Sequence, residues 1–538
     1  MALALRWPKS GTHVATGDGM SSYIVLTGRL SLVGLILLGA SCTSPRAKDR
    51  VAAFPALGEP DRGPPLVERV GMAQQFVWGT DDAARSARAG QLARLASIGI
   101  RIERINFTWH KLEPKPHEFD FAALDAVVDD ATRAGVRLIG VACYGNPAYP
   151  QIRGTGPGTA LPLDDPSDVF FPPKDPADYA RFVAAITARY KDRVQDYELW
   201  NEQNLGYRFF RPDASPSHYA AMAKQAAQAG HTECPSCRFV VGGLSMPQPV
   251  PRIELYKIGP DYLRSVYAAA PDLNAFVDGV AFHPYQYPKD APEFETAAFE
   301  DRFQGSLETQ TKTMEGIVRS AGGPNVPLWI TENGWPTNPG IPSSDEEIAR
   351  IFGADVMLIK LGRAVLGDED FAKVVESLRG VPEPTQAHYL VRSVLLAAKA
   401  GLPVIVLYGL EDYPQDPLIN QESVFGVFRL DGSEKPAAGA LRTLMKRFGS
   451  LRVVGDVTAQ LGLDAAEERA VALRDGDRVV IALWRWKEGE RTMRIDGVPG
   501  DTEVVAEDGT VVVRGARGTS VDLTLSASVV YVDARIGR

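Results

Sequence analysis

The chain reads as a (β/α)8 TIM barrel followed by a smaller all-β sandwich. Three patterns predict this. Eight short apolar runs alternate with amphipathic helical stretches between residues 70 and 448, two of those runs deliver a glutamate at their exits, and short β-type runs with hairpin turns take over after residue 448. At 538 residues the sequence exceeds one typical domain, so two folded units and a leader are expected.

The leader comes first. Leu30–Ala40 is apolar, follows Arg29 and ends in small residues before Cys42, the pattern of a secretory signal and too short to span a bilayer. Residues 1–42 are assigned to it, with Met20 as an alternative start because the residues before it are polar. Gly39-Ala40-Ser41-Cys42 resembles a lipoprotein signal-peptidase site, but Gly39 stands where leucine is usual. Lipidation of Cys42, with membrane attachment through that lipid, and plain cleavage or an uncleaved anchor both stay open. In each case export is expected, to the periplasm or the outer membrane as a lipoprotein, otherwise to the extracellular space. Residues 43–69, rich in Pro, Gly and charge, read as a tether.

The barrel is assigned to residues 70–448. Its expected strands are Val70–Trp78, Ile100–Phe107, Val136–Cys143, Tyr197–Trp200, Phe239–Gly243, Val277–Phe282, Pro327–Thr331 and Val404–Leu410. Helices are expected over Ala83–Ile98, over Phe121–Ala134 with Gly135 as its terminator, and along the stripe Tyr179, Phe182, Val183, Ile186 and Tyr190. Others are expected near Ser217–Gly230, Asp261–Ala270, Leu307–Ala321, Asp345–Leu361, Gln386–Ala400 and Ala437–Phe448. A doubly wound fold would want a Gly-rich phosphate loop after the first strand, and Val70–Thr80 has none. Residues 145–177 carry many Pro and Gly without periodicity. A connection of that length is usually functional, and it would overhang the face where strands end.

Residues 449–538 form the expected sandwich. Its runs are Arg478–Trp486, Thr492–Ile495, Glu503–Ala506, Thr510–Val513 and Val521–Val532, with Asp475-Gly476 and Asp508-Gly509 as hairpin turns. Trp484 and Trp486 alternate within a strand, and packing is favoured over sugar binding for both. Cys234 and Cys237 are close enough for a local disulfide in an oxidising compartment. A zinc ribbon needs a second pair, and a redox role needs its own βαβ setting. Cys143 reads as a small buried residue at a strand end. Neither cofactor nor metal is called for. The net charge of −9 and the pI of about 5.5 argue against a nucleic-acid partner, which calls for a basic face.

The chemistry rests on Glu202 and Glu332. Each follows an apolar strand, Tyr197–Trp200 for one and Leu328–Thr331 for the other, where an unpaired carboxylate is out of place for packing. Barrel enzymes carry their catalytic groups at strand C-terminal ends. Two carboxyl groups facing each other across a cleft can hydrolyse an acetal, one donating a proton and the other attacking the anomeric carbon or activating water. Flat rings at strand ends, Trp109, Tyr144, Trp335 and Tyr408, form a group able to stack on sugar faces.

The segments Trp200-Asn201-Glu202 and Ile330-Thr331-Glu332-Asn333-Gly334-Trp335, supported by Arg104-Ile105-Asn106-Phe107-Thr108-Trp109 and His283-Pro284-Tyr285, resemble those of the clan A glycoside hydrolases. Family 39, with its bacterial exopolysaccharide-degrading members, is the nearest likeness, over about residues 70–448. The resemblance implies a retaining mechanism with Glu202 as acid/base and Glu332 as nucleophile. It further implies that Asn201 binds the sugar's 2-hydroxyl, Arg104 lies beside Glu332, Tyr285 donates to Glu332 and His283 lines the sugar subsite. Arg101 or Glu103 is the alternative to Arg104 on that strand. The sequence departs where many relatives carry His after the third strand, here Tyr144-Gly145-Asn146, and Trp after the eighth, here Tyr408-Gly409-Leu410-Glu411. Both departures leave the sugar open.

The expected activity is therefore hydrolysis of O-glycosidic bonds in a polysaccharide or oligosaccharide by an exported enzyme. The long loops favour internal cleavage of the glycan. A transglycosylase using the same residues, and a non-catalytic glycan-binding barrel of an exopolysaccharide system, are the competing readings.

Overall fold

The computed structural model describes residues 50–154, 168–206, 208–246, 258–286, 290–295, 305–337, 360, 363, 380–414, 421–499, 501–516 and 520–536. The leader with Met20 and Cys42, the centre of the loop after the third barrel strand, and nearly all of the helix expected over 345–361 lie outside them. Among the described residues no helix is long and apolar enough to cross a membrane.

A first strand, β1 (Arg50–Ala53), precedes the barrel, whose strands are β2 (Val70–Ala73), β3 (Ile102–Thr108), β4 (Arg137–Cys143), β5 (Asp196–Asn201), β6 (Arg238–Ser245), β7 (Gly279–His283), β8 (Leu328–Ile330) and β9 (Ile405–Tyr408). They pair in parallel, and β9 closes onto β2. The expected eight strands are all present. The first is shorter than expected, because the chain leaves the sheet after Ala73.

Local chemistry sets the helix bounds. Asp81 accepts from the Ala84 amide to open Asp82–Ile98, and Gly99 closes it at a φ of 81° that a Cβ would disfavour. Asp175 and Ser215 cap Pro176–Tyr190 and Pro216–Glu233, each with proline in the first turn, where a missing N–H is harmless. The last helix is Pro436–Arg442, continued by a π turn over Thr443–Arg447.

Strand alternation sorts the barrel into layers. Ala73, Ile102, Ile139, Val240, Ala281, Trp329, Val404 and Val406 pack together as an apolar cluster inside the barrel. Ile105 and Phe107 of β3 and Tyr197 and Leu199 of β5 belong instead to the core shared with the helices. The two-residue step therefore lifts Arg104 of β3 and Glu198 of β5 to the inner face, above the apolar floor.

The sandwich has two sheets. One runs β10 (Arg452–Asp456), β11 (Glu468–Asp475), β12 (Arg478–Arg485), β17 (Val530–Arg535), β14 (Thr502–Ala506), β15 (Val511–Ala516). The other runs β1, β13 (Arg491–Asp496), β16 (Ser520–Leu525). The turns at Gly476 and Gly509 stand where expected, at φ of 58° and 92°. Three corrections follow. Residues 43–69 are not all tether: Arg50–Ala53 pairs in parallel with β13, and Leu66–Arg69 is a helical turn. The run Val521–Val532 is two strands. β10 and β11 arise where no strand was expected: β11 is the first arm of the hairpin that turns at Gly476 into β12, and β10 pairs antiparallel with β11.

Residues 49–538 form one compact unit. Trp484 on β12 is fully buried and donates from Nε1 to Glu293 at 2.7 Å, while Arg392 on the helix Glu383–Lys399 grips the same carboxylate with Nε and Nη2. Its packing role is thereby settled, and it seats the sandwich on a buried ion pair. Removing one member of such a pair strands the other charge. Arg392→Met is expected to lower stability by about 3–5 kcal/mol in denaturant unfolding, and the double variant Arg392→Met/Glu293→Gln to recover part of that loss.

Candidate active site

The exit of β5 is bent. Trp200 and Glu202 hold positive φ, 78° and 46°, in the left-handed region that non-glycine residues seldom occupy. The Glu202 amide still reaches back to the Gly243 carbonyl at 2.9 Å, so the turn is anchored to β6 while its side chain swings over the mouth. Gly243 has a specific reason to lack a side chain. A Cβ there would lie 1.9 Å from Nε2 of His283.

Glu332 follows β8 and is held from two sides. Arg104 Nη1 donates to Oε1 at 2.6 Å and the Tyr285 hydroxyl to Oε2 at 2.9 Å. The rest of the Arg104 guanidinium is spent on Glu198, through Nε at 2.6 Å and Nη2 at 3.0 Å, and on Asn201 Oδ1 at 2.7 Å. Burial alone would pull the Arg104 pKa down, but the charges of Glu198 and Glu332 outweigh it and hold the group protonated. Asn201 turns its amide nitrogen to the Tyr144 hydroxyl at 3.0 Å. Burial, with Glu332's charge contributing, pushes the Tyr144 and Tyr285 hydroxyls well above the usual phenol range, so both remain proton donors at neutral pH.

His283 connects the two acids. Its Nδ1 is 3.0 Å from Glu202 Oε1 and 3.7 Å from Glu332 Oε2, and its Nε2 is 3.1 Å from Thr331 Oγ1. Burial works against its protonation. The charges of Glu332 and Glu202, together with the Glu202 hydrogen bond, outweigh that, so its pKa is raised. One oxygen of Glu202, one of Glu332 and a ring nitrogen of His283 all lie within 4.8 Å of one another. Among the described residues this is the group compact enough to hold a cation. Its atoms are otherwise engaged, however: a guanidinium sits on one oxygen of Glu332 and a phenol on the other.

The structure thus brings together Glu202, Glu332, Asn201, Arg104, Tyr285, His283 and Tyr144. Of the alternatives, Arg101 precedes β3 and is exposed, and Glu103 on β3 alternates with Arg104 and so lies off the inner face. Tyr408 is half-buried at the rim, its ring 5.4 Å from Phe425, which lies 6.0 Å from Tyr285. Three expectations need correction. Trp109 is fully buried, stacked on Phe182 and bonded through Nε1 to Glu113 at 2.6 Å. Trp335 is equally buried, giving Nε1 to the Asp290 carbonyl at 2.9 Å and its ring to Tyr389. Neither presents a face to a sugar. His283 has no exposed surface, so it serves the carboxyl groups and does not line an open subsite. Sequence reasoning missed Glu198 and Thr331. The signal for Glu198 was available: a glutamate inside an apolar strand requires a buried partner. Cys234 and Cys237 form the disulfide expected of them, between the helix Pro216–Glu233 and β6.

No curated protein matches the chain in sequence. The family model described as β-galactosidase, of glycoside hydrolase family 42, matches residues 81–151. Among solved structures, a family 39 glycoside hydrolase from Bacteroides cellulosilyticus WH2 superposes with a TM-score of 0.60 at 18% identity, over 89% of this chain and 83% of that one. A family 39 enzyme from Xanthomonas axonopodis pv. citri gives 0.56 at 15% identity, over 93% and 100%. A family 39 β-xylosidase from Caulobacter crescentus gives 0.54 at 15%, over 90% and 99%.

Gly243→Ala is expected to displace His283 and lower kcat/KM by about 100-fold, the effect of misplacing a reacting group by an ångström, with the far-ultraviolet circular dichroism unchanged. Barrel, sandwich and strand-end carboxyl pair together give the chain a fold similar to that of the clan A glycoside hydrolases of the family 39 type.

Proposed function

We propose that the protein is a retaining β-glycoside hydrolase that cleaves O-glycosidic bonds by double displacement. The observation that carries this is the proximity of Glu202 and Glu332, which offer oxygens within 4.8 Å of each other. Retaining enzymes hold their carboxyl groups about 5–5.5 Å apart, and inverting ones leave a wider gap for water.

Glu332 is the nucleophile. Arg104 and Tyr285 donate to its two oxygens and fix their position. Glu202 is the acid/base. It protonates the departing oxygen as Glu332 bonds to the anomeric carbon, then takes a proton from water as that water displaces Glu332. Asn201, held by Arg104 and Tyr144, keeps one amide hydrogen for the sugar's 2-hydroxyl, a contact that strengthens in the transition state. A binding module has no need of an acid and an ionised nucleophile so arranged.

The substrate in this reading is a polysaccharide or oligosaccharide met outside the cytoplasm. The apolar leader and the Cys234–Cys237 disulfide support export, and the long connections at the strand ends support internal cleavage. Product analysis separates the modes: a ladder of oligosaccharides for internal cleavage, a single monosaccharide for action at chain ends.

Activated 2-fluoro-glycosides are expected to leave a mass adduct on a peptide containing Glu332. No adduct and no turnover across a broad panel of glycosides and polysaccharides would favour the glycan-binding alternative. Glu202→Ala is expected to slow turnover by about 10²–10⁴-fold, with azide restoring part of the rate on substrates with good leaving groups. Damage without rescue would remove Glu202 from its role.

A further inference from the structure

Behind the carboxyl pair runs a buried chain of hydrogen bonds that ends on the acid. Glu198 Oε1 accepts from Arg104 Nη2 at 3.0 Å, from the Gly243 amide at 2.6 Å and from Thr331 Oγ1 at 3.2 Å. Thr331 Oγ1 is 3.1 Å from His283 Nε2, and His283 Nδ1 is 3.0 Å from Glu202 Oε1. Glu198, Thr331 and His283 have no exposed surface, and their polar atoms meet one another at direct hydrogen-bond distance.

Counting hydrogens gives this chain a direction. Glu198 meets only donors, as an ionised carboxylate should. The Thr331 hydroxyl has one hydrogen, and turning it away from Glu198 would set two oxygens 3.2 Å apart with nothing between them. Thr331 therefore donates to Glu198 and can only accept from the imidazole. His283 must carry its hydrogen on Nε2, which leaves Nδ1 of the neutral ring as an acceptor facing Glu202.

We propose that Glu198 and Thr331 are positioning residues that lock the His283 tautomer, so that one mobile proton sits between His283 Nδ1 and Glu202 Oε1, ready for the leaving group. This rests on the acid/base role given to Glu202 above. In the opposite tautomer, Nδ1–H would donate to Glu202 and favour its ionised, non-donating form. The other charged or titratable groups facing this ring are Glu332 after β8, Arg104 on β3 and Tyr285 after β7. None of them bonds to Nε2, so the lock belongs to Thr331 and, through it, Glu198.

Thr331→Val removes the hydroxyl at nearly constant volume, and Thr331→Ser keeps it. In the full-length protein labelled with 15N-histidine, the His283 signal is assigned by its loss in His283→Gln. Wild type and Thr331→Ser are expected to show protonated Nε2 in the neutral ring, whereas Thr331→Val shows a mixture of tautomers. The basic limb of kcat/KM against pH is expected to move down by about one unit in Thr331→Val, the worth of one hydrogen bond, and to stay in place in Thr331→Ser. An unchanged tautomer in Thr331→Val, or a Thr331→Ser variant that behaves like it, overturns the proposal. The nitrogen signal reads the lock even without turnover, so failure of the hydrolase reading and failure of the lock are told apart.

Discussion

Arg104 lies inside the barrel with almost no exposed surface and three polar side chains on it. A guanidinium taken out of water is tolerated only where its fork is fully matched. Glu198 supplies the match, accepting from Nε and Nη2 together, and the remaining donors are then free to hold Asn201 and Glu332. The geometry of the whole site follows from that one buried pair. Nη2 on Asn201 fixes the residue before the acid, and Nη1 on Glu332 fixes the other carboxylate. Two groups far apart in sequence are set at one separation by a single rigid, planar cation.

The same pair controls charge. Two ionised carboxylates within 4.8 Å would repel strongly in a water-poor cleft. Arg104 offsets Glu332, but half its fork is committed to Glu198, so it steadies Glu332 without presenting an unshared positive charge to the sugar. Glu202 receives nothing from Arg104 and faces a histidine instead. In the proposed mechanism, environment alone thus divides two glutamates into an attacker and a proton donor. A site in which both carboxylates met the guanidinium would leave no acid to protonate the departing oxygen.

How much of this is legible without coordinates depends on whether the reason is local. Glu202 and Glu332 are legible because an acid at the end of an apolar run violates packing. Gly135 and the Asp508-Gly509 turn are legible because positive φ favours one residue type. Trp109 and Trp335 are not, because a ring at a strand end looks the same whether it faces a sugar or a helix. Trp109 finds Phe182 and Glu113 there, and Trp335 finds Tyr389 and Asp290. The strand Arg50–Ala53 is invisible for another reason: its partner β13 lies more than four hundred residues along the chain. Thr331 was quoted within a motif and given no task, since only the neighbouring strands show that its hydroxyl joins His283 to Glu198.

Barrel topology explains why these pieces can act together. β5 and β8 are separated around the ring by β6 and β7, so a carboxylate at each exit looks across the mouth and not along one edge. The intervening strands then supply what the gap needs. β6 gives Gly243, whose missing side chain admits the imidazole and whose amide binds Glu198, and β7 gives His283 itself. A bulkier residue on β6 would push the histidine out of reach of Glu202, and a shift of β7 by one residue would turn it to the helix side. The register of two strands that carry neither carboxylate therefore decides whether the pair behaves as two similar acids or as two different ones.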